Sequence, residues 1–448
     1  MAGTKIDGKE IAQSVKDRVK AAVGELKAQN ITPCLATVLV GDNPASATYV
    51  RNKHKACEEV GITTKDHKLD SDITQSQLNE IVDSLNKDSA VHGILVQLPL
   101  PDQLNEFETT SRISPLKDVD GLTPYNAGLL AMKKAALVAC TPSGVMEMFD
   151  YHNINLQGKN VVLINRSNLV GKPLYHLLLE RNATVITCHS KTKNLEELCR
   201  SADIVITAVG DRNRFTLTPD MIKEGAIVID VAISRHNEKL VGDCDYDQII
   251  QKASFATPVP GGVGPMTVAM LLKNTITAAS LIVNLDNSVE KKSLRKMLLE
   301  RRDATSFDMM KIASEKIHKK LRKNQIFHDA KKIGVYYPIG SEVLTQDIMQ
   351  EILSSGRELF LPKVVGENME FRKITDFSCL ETGNFDIMEP KDDCPVDNNL
   401  DLLLVPTVGI SQDGVRLGYG HGFYDKFLSE HPTQTISLIY EKQIIKKI

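Results

Sequence analysis

The stretch GKNVVLINRSNLVGKPLYHLLLE, residues 158–180, has the pattern of a buried strand, a tight turn and a helix. Three more short apolar runs follow: TVITCHS (184–190), ADIVITAVG (202–210) and GAIVIDVAIS (225–234). Such runs, bounded by polar or turn-forming residues, are typical of buried strands in a parallel sheet. The pattern predicts an open, Rossmann-like sheet of the nucleotide-binding type, followed by a long apolar helix over 266–285.

The chain before this sheet also alternates between helix and strand patterns. Helices are predicted over 9–28, 44–60 and 73–88, and strands over 34–41 and 91–101. This alternation favours a second parallel α/β layer. We therefore expect an N-terminal two-lobed α/β region, with residues 1–140 and the helix 265–285 in one lobe and 141–264 in the other.

At DNSVEKK (286–292) the composition becomes polar and charged, and a domain boundary is predicted there. The remaining chain, 286–448, is expected to form a separate α/β domain. Its predicted strands are KIGVYYPIG (332–340), RELFLPKV (357–364) and LDLLLVPTV (400–408), with helices between them and at 422–429. A chain of 448 residues is too long for a single core, which agrees with this division.

Composition narrows the class of protein. The net charge of −3 gives no basic excess to attract nucleic acid or an anionic membrane. Eight cysteines are scattered without a C-x-x-C pair, which argues against a disulfide framework or a zinc site. We find no apolar run of transmembrane length and no signal or transit pattern before the first helix. The cytosol is therefore the expected compartment.

The turn NRSNLVG (165–171) is suited to bind a phosphate through backbone amides and the N-terminus of the following helix. Arg166 adds a bidentate donor, and Ser190 follows the next strand. Because the turn lacks the G-x-G-x-x-G spacing, an ordinary strand-to-helix turn explains these residues as well. If a dinucleotide binds, the arginine favours a ribose 2′-phosphate and hence NADP over NAD.

Two further features of this region suggest a binding site. TPVPGGVGPMT (257–267) combines three prolines and three glycines into a rigid loop that a flat ligand can approach closely. Tyr49 and Lys53 are four residues apart, so a helix would place them on one face. Charged neighbours make a solvated helix face the usual explanation of such a pair, and an ordinary turn is the alternative for the loop.

Seven motifs occur in order over residues 1 to about 285: GDNPASATYVRNK, GILVQLPLP, KDVDG, CTPSG, RSNLVGKP, CHSKT and TPVPGGVGPMT. Together they resemble the bifunctional methylenetetrahydrofolate dehydrogenase/cyclohydrolase family. The resemblance implies that NADP oxidises 5,10-methylenetetrahydrofolate to the methenyl cation, which water opens to 10-formyltetrahydrofolate. The Y-x-x-x-K pair of short-chain dehydrogenases is a rival explanation, but there the pair follows the nucleotide turn, whereas here it precedes it.

The same resemblance implies roles for individual residues. Lys53 is the general acid/base, Tyr49 orients the folate, Gln97 positions Lys53 and Asp120 holds the pterin ring. The implied folate-lining residues are Val96, Leu98, Pro260, Gly261, Gly262, Gly264, Pro265 and Thr267. The implied NADP-binding residues are Arg166, Ser167, Ser190 and Ile233. Family members commonly carry glycine where Asn165 and Ala232 stand, so a β-carbon at these positions is expected to crowd the cofactor.

The C-terminal part contains a glycine-rich loop, RLGYGHGFYD (416–425), that leads into a helix. Alternating glycines expose successive amides to a phosphate, although the sequence is not a P-loop. With KKSLR (291–295), GSEVLT (340–345) and FDIMEP (385–390), the loop resembles 5-formyltetrahydrofolate cyclo-ligase over about 289–443. Lys291 and Arg295 alone would suggest only a basic linker helix.

This second resemblance implies that Mg-ATP phosphorylates the formyl oxygen of 5-formyltetrahydrofolate, after which N10 closes the ring to methenyltetrahydrofolate. Asp425 would bind Mg²⁺, and Glu342 and Phe385 would bind the folate. The implied ATP-binding residues are Lys291, Arg295, Arg416, Gly418, Gly420, Gly422 and Tyr424.

The second domain also departs from its family. PTVGIS (406–411) replaces the usual P-G-x-x-F-type stretch, and YEKQIIKKI ends before a usual segment that carries a further aspartate. A domain that only binds folate or ATP, as a regulator, is therefore an alternative to an active ligase.

The first resemblance also implies a homodimer formed through the NADP domain.

Overall fold

The computed structural model describes residues 2–236, 239–383 and 387–446. The chain divides into two compact units, Met1–Asn284 and Leu285–Ile448. The division lies one residue before the boundary predicted at 286.

The helices, in chain order, have the following bounds: α1 Gly8–Ala28, α2 Pro44–Val60, α3 Gln75–Lys87, α4 Glu106–Arg112, α5 Pro124–Ala131, α6 Cys140–Tyr151, α7 Gly171–Glu180, α8 Leu195–Ser201, α9 Tyr246–Lys252, α10 Val263–Asp303, α11 Phe307–Leu321, α12 Gln325–Asp329, α13 Gln346–Ser354 and α14 Phe423–Glu430.

The strands of the first unit are β1 Thr4–Lys5, β2 Cys34–Val40, β3 Thr63–Leu69, β4 Gly93–Val96, β5 Asn160–Ile164, β6 Thr184–Cys188, β7 Ile204–Thr207, β8 Ile227–Asp230, β9 Ser234–His236, β10 Lys239–Val241 and β11 Phe255–Ala256. Those of the second unit are β12 Lys332–Gly334, β13 Glu358–Val365, β14 Asn368–Ile374, β15 Leu380–Thr382, β16 Met388–Pro390, β17 Leu402–Val405, β18 Gly409–Ser411, β19 Arg416–Leu417, β20 Gln434–Ser437 and β21 Ile444–Ile445.

The first unit contains two parallel sheets, as the strand and helix alternation predicted. A six-stranded sheet has the order β1-β11-β8-β7-β5-β6, and a three-stranded sheet has the order β3-β2-β4. The sequence analysis missed β3 because its residues, TTKDHKL, are mostly polar and exposed at the sheet edge. Strand β4 ends at Val96, before the predicted end at 101, and the Gln97 amide makes a further bond to the Val38 oxygen at 2.9 Å.

Helix α1 shows how the sequence builds this unit. Asp7 caps it by accepting the amides of Lys9 and Glu10 at 3.0 and 3.4 Å. Its buried side chains recur every three or four residues: Ile11, Val15, Val19, Val23 and Leu26. This apolar stripe packs in the main core of the first unit, which also contains the N-terminal part of α10.

Helix α10 is longer than the predicted helix over 266–285 and includes the polar segment 286–292. By length and composition alone, α10 contains a stretch that could cross a membrane, contrary to our expectation from sequence. Met266, Ala269 and Leu272 are fully buried in the main core of the first unit. Since buried core helices pass the same test, the stretch is weak evidence for a membrane span.

The second unit has a five-stranded sheet of order β14-β13-β12-β17-β20, in which β14 is antiparallel and the other pairs are parallel. Helix α13 lies between the first two predicted strands, as expected, but the prediction of a helix directly after the second was wrong, because β13 turns into β14. Gly366 opens this two-residue turn with a φ of 62°, a conformation that favours glycine. Buried Met369 and Phe371 alternate with more exposed residues along β14.

Candidate active sites

Helix α2 brings Lys53 against the residue that follows strand β4. Lys53 is only 6% exposed, and its Nζ donates a hydrogen bond to Gln97 Oε1 at 3.1 Å. The Gln97 amide is oriented by a second bond, from Nε2 to the Leu98 carbonyl at 2.7 Å. A lysine in an exposed helix face would have neither this burial nor this partner, so a solvated face does not explain the pair.

Lys53 and Gln97 open onto a cavity of about 390 Å³. Six predicted residues line it: Tyr49, Lys53, Gln97, Leu98, Asp120 and Thr267. The predicted Val96 is buried in a neighbouring core cluster and does not line the cavity, whereas Tyr49 lines it and is 46% exposed. The cavity thus combines an amine, a carboxyl group, an amide and a phenol with apolar walls from Leu122, Leu169 and Pro99.

Two aspartates lie in the segment that contributes Asp120 and Leu122 to the cavity lining. Asp118 accepts hydrogen bonds from the amides of Leu122 and Thr123 at 3.1 and 2.8 Å, and from Asn126 Nδ2 at 2.9 Å, so it fixes the loop. Asp120 contributes its carboxyl group to the cavity. Burial raises the pKa of Asp120 above its usual value, while the nearby Lys53 ammonium acts to lower it.

Sequence reasoning missed Asn274, a buried residue of α10. Its Nδ2 donates to the carbonyl oxygens of Val119 and Val138, each at 2.8 Å. These two bonds hold the segment before Asp120 against the segment before Cys140. An isolated asparagine in an apolar helix was the only sequence signal of this role.

The loop 257–267 packs closely on the start of α1. Gly261 has a φ of 104°, and a β-carbon on Gly8 would lie 1.7 Å from the Gly262 oxygen. At the end of the loop, Thr267 Oγ1 lies 2.9 Å from Thr141 Oγ1 at the cavity wall. The other predicted folate residues of this stretch are placed differently: Pro265 lines a neighbouring depression, Pro260, Gly261 and Gly262 form the loop itself, and Gly264 lies in the first turn of α10.

The turn after β5 is held together by Asn165. Its Oδ1 accepts the amides of Ser167 and Gly171 at 2.8 and 3.0 Å, and its Nδ2 donates to the Ala208 oxygen at 2.6 Å. The side chain is therefore bound within the turn region, and the crowding of the cofactor by its β-carbon stays a prediction. Arg166 and Ser190 are exposed at the carboxyl ends of adjacent strands β5 and β6, the edge where open α/β sheets bind ligands.

The carboxyl end of β8 carries a buried carboxyl group, Asp230. It accepts the amides of Ala232 and Cys244 at 3.1 and 2.8 Å, while Ile233 is 45% exposed beside it. The buried β-carbon of Ala232 faces the protein interior rather than open solvent. Burial raises the pKa of Asp230 to about 6.

We expect this group to make stability depend on pH. Because the folded-state pKa exceeds the unfolded-state value, the folded chain binds more protons, and stability is lost as pH rises from about 4 to about 6. The free energy of unfolding of the wild type, relative to Asp230→Asn, should fall by roughly 2–3 kcal/mol across this range. Urea unfolding at both pH values measures it; a constant difference would contradict the assignment.

The second unit has its own cavity, of about 330 Å³. Glu342, 4% exposed, accepts the amide of Ile339 at 2.8 Å and a hydrogen bond from the Tyr419 hydroxyl. Arg302 donates to that hydroxyl at 2.6 Å and lies 3.9 Å from Glu342 Oε1. Burial raises the pKa of Glu342, and the Tyr419 and Arg302 interactions oppose this shift. Glu342 was predicted from the sequence, whereas Arg302 and the bond from Tyr419 to Glu342 were not.

The glycine-rich loop forms the wall of this cavity. Gly420 and Gly422 have φ values of 105° and 74°, which favour glycine. Arg295 Nε donates to the Gly418 oxygen at 2.7 Å, and Arg416 pairs with Asp425. Gly418, Gly420, Gly422, Tyr424, Arg416, Asp425 and Glu342 all line the cavity, as the sequence grouped them.

Three predicted residues need separate comment. Lys291 is exposed on α10, and Phe385 lies outside the described residues. Within the described ranges, no group of three or more His, Cys, Asp or Glu side chains is arranged to hold a metal. The exposed Asp425 is nevertheless compatible with Mg²⁺, which commonly binds through one or two carboxylates, water and the phosphates of its nucleotide.

The two units therefore define an α/β protein with a nucleotide-binding type of sheet, a lysine-containing cavity and a second cavity beside a glycine-rich loop. Models of the tetrahydrofolate dehydrogenase/cyclohydrolase catalytic domain and NAD(P)-binding domain match residues 6–120 and 139–283. The 5-formyltetrahydrofolate cyclo-ligase family model matches residues 287–448.

Comparisons with individual proteins agree with the family matches of the first unit. The chain is 86% identical over 281 residues to the bifunctional protein FolD of Nitrosopumilus maritimus, covering 63% of this chain and 98% of that protein. The solved FolD enzyme of Campylobacter jejuni has a TM-score of 0.61 and 47% identity, covering 62% of this chain and 99% of its own. The Trypanosoma brucei enzyme, complexed with NADP and an inhibitor, has a TM-score of 0.60 and 37% identity, covering 63% and 99%.

The chain belongs to the tetrahydrofolate dehydrogenase/cyclohydrolase family, and its C-terminal unit is a 5-formyltetrahydrofolate cyclo-ligase domain.

Proposed function

We propose that this chain is a multifunctional enzyme of folate one-carbon metabolism. Its first unit oxidises 5,10-methylenetetrahydrofolate to methenyltetrahydrofolate and hydrolyses the product to 10-formyltetrahydrofolate. Its second unit uses ATP to convert 5-formyltetrahydrofolate to methenyltetrahydrofolate. The observation that carries the first assignment is the buried Lys53–Gln97 pair in a cavity that also contains Asp120.

In the hydrolysis, water adds to the methenyl carbon, the bond from that carbon to N5 breaks, and one proton is released. Lys53 is the group that moves protons between the water and the folate nitrogen, and the Gln97 oxygen holds its Nζ in place. Asp120 binds the pterin through its polar edge, and Tyr49 contacts the ring from the cavity rim. In the oxidation, the nicotinamide cofactor supplies the hydride acceptor.

The nicotinamide cofactor is proposed to be NADP, held by Arg166, Ser167, Ser190 and Ile233. The exposed Arg166 at the carboxyl edge of the sheet supports this choice, because guanidinium and phosphate form charge-assisted bidentate bonds. Asn165 supports it by keeping the Ser167 amide and the start of α7 in a fixed arrangement.

Arg166→Ala should raise the KM for NADP about 10- to 100-fold and leave the KM for NAD nearly unchanged, because only NADP carries the 2′-phosphate. Initial rates of methylenetetrahydrofolate oxidation with each cofactor measure this. Arg181→Ala, which removes an exposed arginine from the far end of the same strand–helix unit, is the control. An equal loss with both cofactors would argue against a contact between Arg166 and the 2′-phosphate.

In the second unit, the formyl oxygen of 5-formyltetrahydrofolate attacks the γ-phosphorus of ATP and displaces ADP. N10 then attacks the activated carbon and loses its proton, and phosphate leaves. Arg295, Arg416, Lys291, Tyr424 and the glycine-rich loop are proposed to bind ATP. Asp425 would exchange its bond to Arg416 for Mg²⁺, and Glu342 binds the folate. The cyclo-ligase match favours this activity over a domain that only binds folate or ATP. ADP formation that requires 5-formyltetrahydrofolate tests it.

A homodimer formed through the NADP-binding region and a cytosolic location complete the proposal. All eight cysteines have free thiols, which supports a reducing compartment. Sedimentation of the full chain tests the dimer.

A further inference from the structure

The carboxyl end of strand β7 is held by a side chain from a distant part of the chain. Asp243 follows β10 and is completely buried. Its Oδ2 accepts hydrogen bonds from the Thr207 hydroxyl at 2.6 Å and from the Val209 amide at 2.7 Å. Its Oδ1 accepts the Gly210 amide at 3.0 Å. All three donors lie in the segment 207–210, so one buried carboxyl group fixes the path of this segment.

Asp243 is itself held in place by its backbone. Its carbonyl oxygen accepts the Leu217 amide at 2.8 Å, and the Leu217 oxygen accepts the Asp245 amide at 3.2 Å. These bonds give the Asp243 side chain a defined position, from which it determines the path of 207–210.

The segment 207–210 lies where an open α/β sheet is expected to bind a dinucleotide. After β5 the chain adds β6 on one side of β5 and then β7 on the other, so the winding of the sheet reverses between β5 and β7. Ligands of such sheets bind beyond the carboxyl ends of the strands at this reversal. The turn 165–171, with Arg166, follows β5 there, and the exposed Val209 and Gly210 follow β7.

A side chain joins these two segments. Asn165 Nδ2 donates to the Ala208 oxygen at 2.6 Å, and Asn165 Oδ1 accepts the amides of Ser167 and Gly171. A displacement of 207–210 would therefore also disturb the turn after β5.

We propose that Asp243 is a positioning residue for the nicotinamide dinucleotide and acts through the segment 207–210; the inference rests on the NADP-dependent oxidation proposed above. Val209 and Gly210 contact a part of the dinucleotide that NADP and NAD share. Arg166, by contrast, contacts the 2′-phosphate that only NADP carries.

Asp243→Asn tests this with little change in side-chain shape. The nitrogen of an asparagine at this position must face either the Gly210 amide or the Val209 amide, which are both donors. KM for NADP and KM for NAD should therefore both rise about 5- to 50-fold, since a buried hydrogen bond to a carboxylate is lost. At saturating cofactor, kcat should stay within about twofold of the wild type, because the loss is one of binding.

Two readouts separate positioning from a general loss of structure. The Kd for NADPH, measured by its fluorescence on binding to the full chain without folate, should rise by a factor similar to that of KM. Hydrolysis of methenyltetrahydrofolate uses no dinucleotide, and Asp243 does not line the Lys53 cavity, so the rate without cofactor should match the wild type. Asp247→Asn, which removes an exposed carboxyl group from α9, is the control and should change none of these values.

Thr207→Val is a milder second variant, because it removes only the hydroxyl bond to Asp243. It should raise KM for both cofactors about two- to fivefold and leave hydrolysis unchanged. If Asp243→Asn loses hydrolysis together with oxidation, parallel losses in Thr207→Val would overturn the inference. An unaltered Kd for NADPH in Asp243→Asn, or a loss with NADP alone, would also overturn it and leave the proposed function intact. A wild type that neither binds NADP nor forms NADPH would remove the proposed function and the inference together.

Discussion

Lys53→Ala is expected to lower the rate of methenyltetrahydrofolate hydrolysis by about 10²- to 10⁴-fold, the usual contribution of a positioned acid/base group. Lys53 Nζ is buried, lies in the cavity and has a fixed partner in Gln97 Oε1. Among the described residues that line the cavity, no other side chain carries an amine that could replace that of Lys53. Loss of the methenyl absorbance with time measures the hydrolysis.

Folate binding should largely persist in Lys53→Ala, because Asp120, Tyr49 and the apolar walls of the cavity remain. Isothermal titration with a folate substrate separates this expectation from a general loss of structure. Arg51→Ala is the matched control, since Arg51 is an exposed cation on the same helix. Full hydrolysis by Lys53→Ala would refute the role of Lys53.

Arg302→Ala is expected to destabilise the second unit by about 3–5 kcal/mol, because it leaves the buried Glu342 carboxylate without its guanidinium. The variant also loses the bond to the Tyr419 hydroxyl and the bond from Nε to Ser341 Oγ at 2.8 Å. Amide hydrogen exchange of the full chain, read in peptides from the buried strand β17, measures the change within this unit.

Arg301→Ala, at the exposed neighbouring position, should change exchange little. The double variant Arg302→Met/Glu342→Gln should recover much of the stability, since it removes both charges together. Destabilisation by Arg302→Ala that Glu342→Gln does not relieve would show that Arg302 acts through packing and its other hydrogen bonds. An unaltered exchange rate in Arg302→Ala would contradict the account.

Helices and strands whose buried side chains recur at a regular spacing were predictable from the sequence. Elements that consist mostly of polar residues were not. The apolar strand β5 and the stripe of α1 were recognisable, whereas the polar edge strand β3 was not. In the second unit, the β13–β14 hairpin was missed because its two-residue turn, Gly366-Glu367, lacks the commonest turn pairs.

Candidate site residues were predictable where a motif named them, but the residues that support those sites were not. Asn274 and Arg302 act through bonds to segments far away in the chain, which a linear pattern does not reveal. Asn165 is a further example. The crowding of the cofactor by its β-carbon stays a prediction, but the three hydrogen bonds that its side chain forms were not predictable from the sequence.

The central claim is that two activities of one chain meet at methenyltetrahydrofolate. Absorbance of the methenyl chromophore tests it in two separate reactions, one with methylenetetrahydrofolate and NADP, the other with 5-formyltetrahydrofolate and Mg-ATP. The account predicts a methenyl signal in both. A signal in the first alone would contradict the ligase assignment of the second unit, and no signal in the first would contradict the dehydrogenase assignment of the Lys53 cavity.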